Sequence, residues 1–326
     1  MSAKRKFVLV ALLLAALPVI LPGVAQGYSE SQLETLANSD FITEVRAAAS
    51  QALIKLYAER DISIEELKVT AGTARTEDLR NAAKSALVKK YEDVKEISSL
   101  EEVKKKTKEM ERQTAAGESP ELREASSKAL GLFYLALNLN NVSGYSMEEL
   151  EEIATGGAEE LIRLAAADAL GSIYPNYYFA EDLKEIIATS ESDLIKEAAA
   201  TALSIRYYTQ MSPNLSVEEL EEIATSVEED RWLRRAAGRA YGKLAWKEVD
   251  PKDVKDLVIE GRTEEIRRGA SDAWTKYLIN SDKSETELLR MACAATEVSP
   301  GEYKDAVVSA LAERMLRKSA EKEGAK

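Results

Sequence analysis

The sequence predicts an all-α protein, an α-solenoid of about eight antiparallel helix pairs. Three observations predict it: one phrase recurs eight times at helix-pair spacing, helix-capping signals recur between the copies, and no segment alternates like a β-strand. The copies read EVRAAASQAL, DLRNAAKSAL, ELREASSKAL, LIRLAAADAL, LIKEAAATAL, WLRRAAGRAY, EIRRGASDAW and EYKDAVVSAL. Their shared alanine falls at Ala52, Ala86, Ala129, Ala169, Ala202, Ala240, Ala273 and Ala310, at intervals of 34, 43, 40, 33, 38, 33 and 37 residues. Each interval holds two helices and two turns.

Within each copy a large apolar residue stands seven before the shared alanine, as at Val45, Leu79 and Ile266. A small residue stands four before it, as at Ala48, Ala165 and Gly269, and a bulky one follows it, as at Leu53, Tyr241 and Trp274. Spacings of 3, 4, 7 and 8 share one helical face, and the small residues admit a neighbouring helix at close range. These are inner helices. Each is preceded by a more acidic, amphipathic outer helix, such as LEEIATGG or LKEIIATS. Capping boxes open several of them: Ser63 with Glu66, Ser99 with Glu102, Ser146 with Glu149, Ser216 with Glu219, and Ser284 with Glu287. Ser119-Pro120 and Ser299-Pro300 open inner helices, where proline fits the first turn.

The phrases resemble the HEAT-repeat family, in the short bacterial HEAT-like form whose second helix reads V-R-x-A-A-x-x-A-L. The resemblance covers residues 29–318 and lacks the proline kink of longer units, so the short HEAT-like or armadillo-like class fits better. It implies a right-handed superhelix that binds other macromolecules, with the first and last pairs as end caps. It names no partner, because a fold does not fix a function.

Residues 1–25 read as a signal peptide. Lys4, Arg5 and Lys6 precede an apolar run from Phe7 to Leu21, and Gly23-Val24-Ala25 supplies the small residues of a cleavage site. The run is short for a spanning helix and contains Pro18, so a retained anchor is the lesser alternative. The expected location is secreted or periplasmic, in the cell envelope, with no membrane span after cleavage. Residues 319–326 read as a polar tail.

Composition excludes several functions. The net charge of -13 argues against nucleic-acid partners. With no histidine, His-based catalytic triads and His-ligated metals are closed; with Cys293 alone, so are intrachain disulfides and Cys-cluster metals. No P-loop, G-x-S-x-G or dinucleotide turn is present, so the sequence points to no catalytic residue, no cofactor and no metal. Abundant Lys, Arg and Glu beside 8 Asn and 5 Gln resemble a thermophile's usage.

Two rows and three departures carry the functional expectations. A cation stands six before each shared alanine: Arg46, Arg80, Arg123, Arg163, Lys196, Arg234, Arg267 and Lys304. A feature common to every repeat is what the stack itself needs, so this is a structural ladder, pairing with acids of the interhelix turns such as Glu44, Asp78, Glu121 and Asp193. Tyrosine recurs five after the alanine at Tyr57, Tyr91, Tyr134, Tyr174 and Tyr207, and reads as packing. The third repeat opens with the charged stretch from Glu101 to Arg112, which lengthens its outer helix. Arg231, Arg234, Arg235, Arg239, Arg262, Arg267 and Arg268 form a basic cluster that nearby acids neutralise.

The connections of repeats three to five are rich in rings and amides. They hold Asn138, Asn140, Asn141 and Tyr145, then Tyr174, Tyr177, Tyr178 and Phe179, then Tyr207, Tyr208, Gln210 and Met211. From these, Asn141, Tyr145, Tyr174, Tyr177, Tyr178, Phe179, Tyr207 and Tyr208 are the candidate ligand-binding residues, because flat rings beside amides suit peptides and sugars. The expected function is a non-catalytic scaffold binding a protein or envelope component through its concave face or this loop edge. The alternative is a glycan or peptide receptor using the same loops.

Overall fold

The computed structural model describes residues 30–38, 43–59, 62–74, 76–92, 99–117, 119–156, 158–209, 215–295 and 301–324. The expected signal peptide, Ser299-Pro300, Gln210 and Met211 lie outside them, as does the side chain of Tyr91. Among the described residues the chain is all-α, with no strand.

Among the described residues sixteen α-helices form eight pairs. Outer and inner members alternate: α1 (Glu30–Asn38) and α2 (Thr43–Glu59), α3 (Ile64–Thr73) and α4 (Glu77–Glu92), α5 (Leu100–Ala116) and α6 (Pro120–Leu139), α7 (Met147–Thr155) and α8 (Glu160–Ile173). The second half continues with α9 (Ala180–Thr189) and α10 (Asp193–Tyr208), α11 (Val217–Thr225) and α12 (Arg231–Glu248), α13 (Pro251–Glu260) and α14 (Glu264–Asn280), α15 (Glu285–Ala295) and α16 (Gly301–Gly324). A 3-10 turn, Tyr174–Asn176, follows α8. The helix α5 has 17 residues against nine to eleven in the other outer helices, as its charged stretch predicts. α16 runs on to Gly324, so most of the stretch expected as a tail is helical.

The caps sit where the sequence places them. Complete capping boxes start α3, α7 and α11, and Ser284 with Glu287 forms the same reciprocal bonds ahead of α15. Ser99 makes only half of its box, accepting from Glu102 N–H. All eight shared alanines are buried, as are the small residues four before them and the bulky ones after them. Among the apolar residues seven before, Leu122, Ile162 and Leu233 are only half-buried. A leucine or isoleucine taken fully from water in this band stabilises by roughly 1.5–3 kcal/mol, and the band runs unbroken from Leu33 to Met315.

Each inner helix packs on its own outer helix and on the next inner helix, from α2 through α16. Each outer helix also touches the inner helix of the following pair. Both rules hold once more at the end: α16 packs on α2, and α15 touches α2. The row of pairs therefore closes on itself. The end-cap expectation for the first and last pairs is corrected here, because the face of α2 that a cap would show to water is covered by the last pair. Eight similar steps of about 45° complete a turn, curvature being set by the rotation per repeat.

The seam is bonded as well as packed. Lys304 Nζ lies 2.9 Å from Glu44 Oε1, and Glu44 is 5% exposed. Cys293 of α15 is half-buried beside them, its thiol pushed up to about 11 by burial and then by the Glu44 charge. Elsewhere the inner helices are stapled by hydroxyls. Thr76 donates to Ala37 O at 2.9 Å, Ser127 to Leu161 O at 2.6 Å, and Ser271 to Glu302 O at 2.7 Å. Thr263 bonds Ala224 O in the manner of Thr76.

Candidate binding surface

The cation ladder joins successive pairs. Arg46 Nε is 3.2 Å from Asp78, Arg80 Nε 3.0 Å from Glu121, Arg234 Nε 3.5 Å from Glu265, and Arg267 Nε 3.6 Å from Glu302. Lys304 to Glu44 is the same rung across the seam. The acid thus belongs to the next pair and not to the cation's own turn; Asp193 holds Arg231 instead, at 3.1 Å. Arg80 and Arg267 also donate to Ala74 O and Gly261 O, the C-cap carbonyls of their own outer helices. Each such guanidinium ties the negative end of one helix to an acid in the first turn of another. At the acid's register the fourth to sixth repeats carry Leu161, Leu194 and Trp232, so Arg123, Arg163 and Lys196 have no such partner in sequence.

The tyrosine row is also structural. Tyr57, Tyr134 and Tyr174 donate to Glu34, Glu111 and Glu151 at 2.6, 3.0 and 2.8 Å, each carboxylate lying 23 residues earlier on the paired outer helix. Burial first, and the facing carboxylate after it, hold all three phenols far above their ordinary range. Tyr207 is buried too, and its phenol is raised mainly by burial. Tyr174 and Tyr207 are therefore removed from the candidate binding set: they fill the core between helices.

The other candidates divide by exposure. Tyr145 is half-buried with its ring 5.5 Å from that of Tyr134, and Tyr178 sets its edge on Tyr174 at 5.2 Å. Tyr208 is half-buried, and Asn141 is exposed with φ 53°. Tyr177 and Phe179 are 60% and 70% exposed. Arg206 lies against Phe179, its guanidinium 5.4 Å from that ring and 2.5 Å from Pro175 O.

Two of the sequence departures meet across one cleft. The long helix α5 and the α6–α7 loop enclose about 900 Å³, lined by Lys104, Lys105 and Lys108 on one side and Asn140, Asn141 and Tyr145 on the other. Val142 and Ile153 also line it. The loop is held firmly. Glu149 accepts from Gly144 N and Ser146 N, at distances down to 2.8 Å, and these donors keep its carboxyl below the usual range. Asn138 Nδ2 holds Tyr145 O at 3.0 Å, and Gly144, at φ 93°, occupies the left-handed region that suits glycine.

A second cleft, of about 610 Å³, opens between α12, α14 and α16 and holds the arginine cluster. Its five arginines face five acids, and their pairing is extensive. Arg235 and Arg239 grip Glu197 at 3.1 and 2.5 Å, Arg268 pairs with Glu264, and Arg231 lies 4.3 Å over the Trp232 ring. All five arginines of this cleft meet an acid; of the other two in the expected cluster, Arg267 pairs with Glu302 and Arg262 lines a different cleft.

Asp168 and Asp272, each just before a shared alanine, line the inner face. Both are accessible to water yet crowded by protein, the signature of a concave surface, and loss of bulk water holds both carboxyls above their ordinary range. For Asp168 the nearby Glu197 adds to the rise, while Lys128 and Arg239 oppose it. A carboxyl raised on folding favours the native state only at low pH, and that advantage is lost as pH rises through its folded value. Asp168→Asn is therefore expected to raise the thermal midpoint at pH 7, and the gain should shrink on acidification. A midpoint lowered at pH 7 would contradict this.

Among the described residues no group of three or more His, Cys, Asp or Glu is placed to hold a metal, and no helix is long and apolar enough to cross a membrane. No protein-family model matches the chain, and no curated protein is significantly similar to it.

Proposed function

We propose that this chain is an exported, non-catalytic scaffold of HEAT-like repeats, a right-handed solenoid curved until its ends meet. It holds a protein of the cell envelope at the edge where inner helices end and outer helices begin. One observation carries this reading. Of the seven exposed large apolar residues among those described, Leu100, Leu139, Tyr177 and Phe179 lie on that edge between the third and fifth pairs. The remaining three, Val69, Leu164 and Val227, lie on an outer helix, the inner face and the opposite edge. Scattered apolar side chains need no explanation, whereas a group on one edge marks a contact surface.

The apolar run and small-residue cleavage site at residues 7–25 support export. The test is capture from the host envelope fraction with wild-type protein and with Tyr177→Ala/Phe179→Ala. The double variant should lose the captured partner while keeping its helical circular dichroism, and Val227→Ser should keep both. A partner retained equally by all three would contradict the edge reading.

A further inference from the structure

We infer that the cleft between α5 and the α6–α7 loop binds an extended acidic peptide. This deepens the edge reading above, since it assigns a ligand class to one part of that edge. On the α5 wall three lysines face the cleft beside two acids, Glu101 and Glu111, the latter bonded to Tyr134, so the wall is net positive on a chain whose net charge is -13. Lys105 and Lys108 are exposed on that wall; Lys104 is partly engaged with Glu101 at 3.2 Å. Residues three and four apart on a helix are separated by roughly 4.5–6 Å of rise. Alternate side chains of an extended strand repeat at about 6.6 Å, so acids at every second position can follow the lysines.

The opposite wall supplies what a peptide backbone needs. Asn141 brings a whole side-chain amide to the cleft and Asn140 its carbonyl oxygen, its Nδ2 donating to Ala136 O at 2.8 Å, beside the apolar side chains of Val142 and Ile153. That wall is pre-organised by Glu149 and Asn138, so little ordering is required on binding. A sugar is less well served. Its usual platform is a free aromatic face, and the Tyr145 ring is packed against Tyr134. Charge steers the acidic peptide in, and amides pair with its main chain.

The probe is a fluorescein-labelled peptide of alternating Glu and Ser, followed by anisotropy at low salt, where surface charges are least screened. It should bind, and added salt should weaken it; the same peptide with Gln for Glu should not bind. Lys105→Glu/Lys108→Glu should weaken binding at least about tenfold. Lys184→Glu, a single charge reversal on α9 beside Glu181 and half the charge change of the double variant, should change it less than about twofold. Tyr177→Ala/Phe179→Ala should leave peptide binding intact, which keeps failure of this site distinct from failure of the edge reading. The inference is overturned if the glutamate peptide does not bind, if the glutamine peptide binds equally, or if the double lysine reversal changes nothing. An oligogalacturonate that binds where the peptide does not would overturn it in favour of an acidic glycan.

Discussion

Gly269→Ala is expected to destabilise the protein by about 1–3 kcal/mol, the usual cost of forcing an extra carbon into a filled helix contact. A Cβ at Gly269 would collide with the carbonyl oxygen of Gly238 and lie 2.8 Å from its carbonyl carbon. Both groups are backbone, so neither can swing aside. A Cβ at Gly242 would likewise lie 2.7 Å from Gly269 O in the same crossing, where α12 and α14 are in intimate contact. The sign of the effect is the diagnostic. Gly72 lies in α3 with nothing nearer a new Cβ than Ser119 Oγ at 4.0 Å. Gly72→Ala should stabilise by about 0.5–1 kcal/mol, the ordinary helix preference for alanine. Urea melts of the two variants provide the comparison. Equal effects would mean that α12 and α14 do not approach as described.

Lys304→Met is expected to be the most damaging loss of a surface-reaching cation. Its partner Glu44 has a side chain 7% exposed, so removing the lysine takes the cation away from a carboxylate held largely out of water. Breaking a fully buried pair costs about 3–5 kcal/mol, and because Lys304 itself is 28% exposed the expected loss is nearer 2 kcal/mol. Lys184→Met, whose partner Glu181 is 79% exposed, should cost under about 1 kcal/mol. Chemical denaturation of both variants checks this. Similar small losses would place Glu44 in water and the seam open.

Much of the fold was legible because helix packing imposes spacing. Ala52 and its seven equivalents had to be small and evenly placed for neighbouring helices to approach, and Ser63, Ser146 and Ser216 had to precede a glutamate by three to cap. The length of α5 was legible from an uninterrupted charged stretch. Closure was not, because it accumulates from a small rotation at every pair that no local motif encodes. One signal was present all the same. Glu44 in the first repeat occupies the acid position of a rung and Lys304 in the eighth occupies the cation position, and the two pair across the seam.

The candidate site was legible only in part, for a related reason. Tyr174 and Tyr207 sit beside loops in sequence, yet they project back between helices, and the glutamate bonded to Tyr174 stands 23 residues away on another helix. Tyr177 and Phe179 are carried outward by the 3-10 turn after α8. The meeting of Lys105 and Lys108 with Asn141 joins segments more than thirty residues apart, which residue type alone does not announce.

The closed circuit of helix pairs is tested most directly by a distance across the seam. Spin labels at Thr43→Cys and Gly301→Cys, in a Cys293→Ala background, report on the first turns of α2 and α16. Packed neighbours have axes about 8–10 Å apart, so dipolar spectroscopy should return one narrow, short distance. An open row of eight inner helices would separate the same labels by roughly 60 Å, and that result would contradict closure.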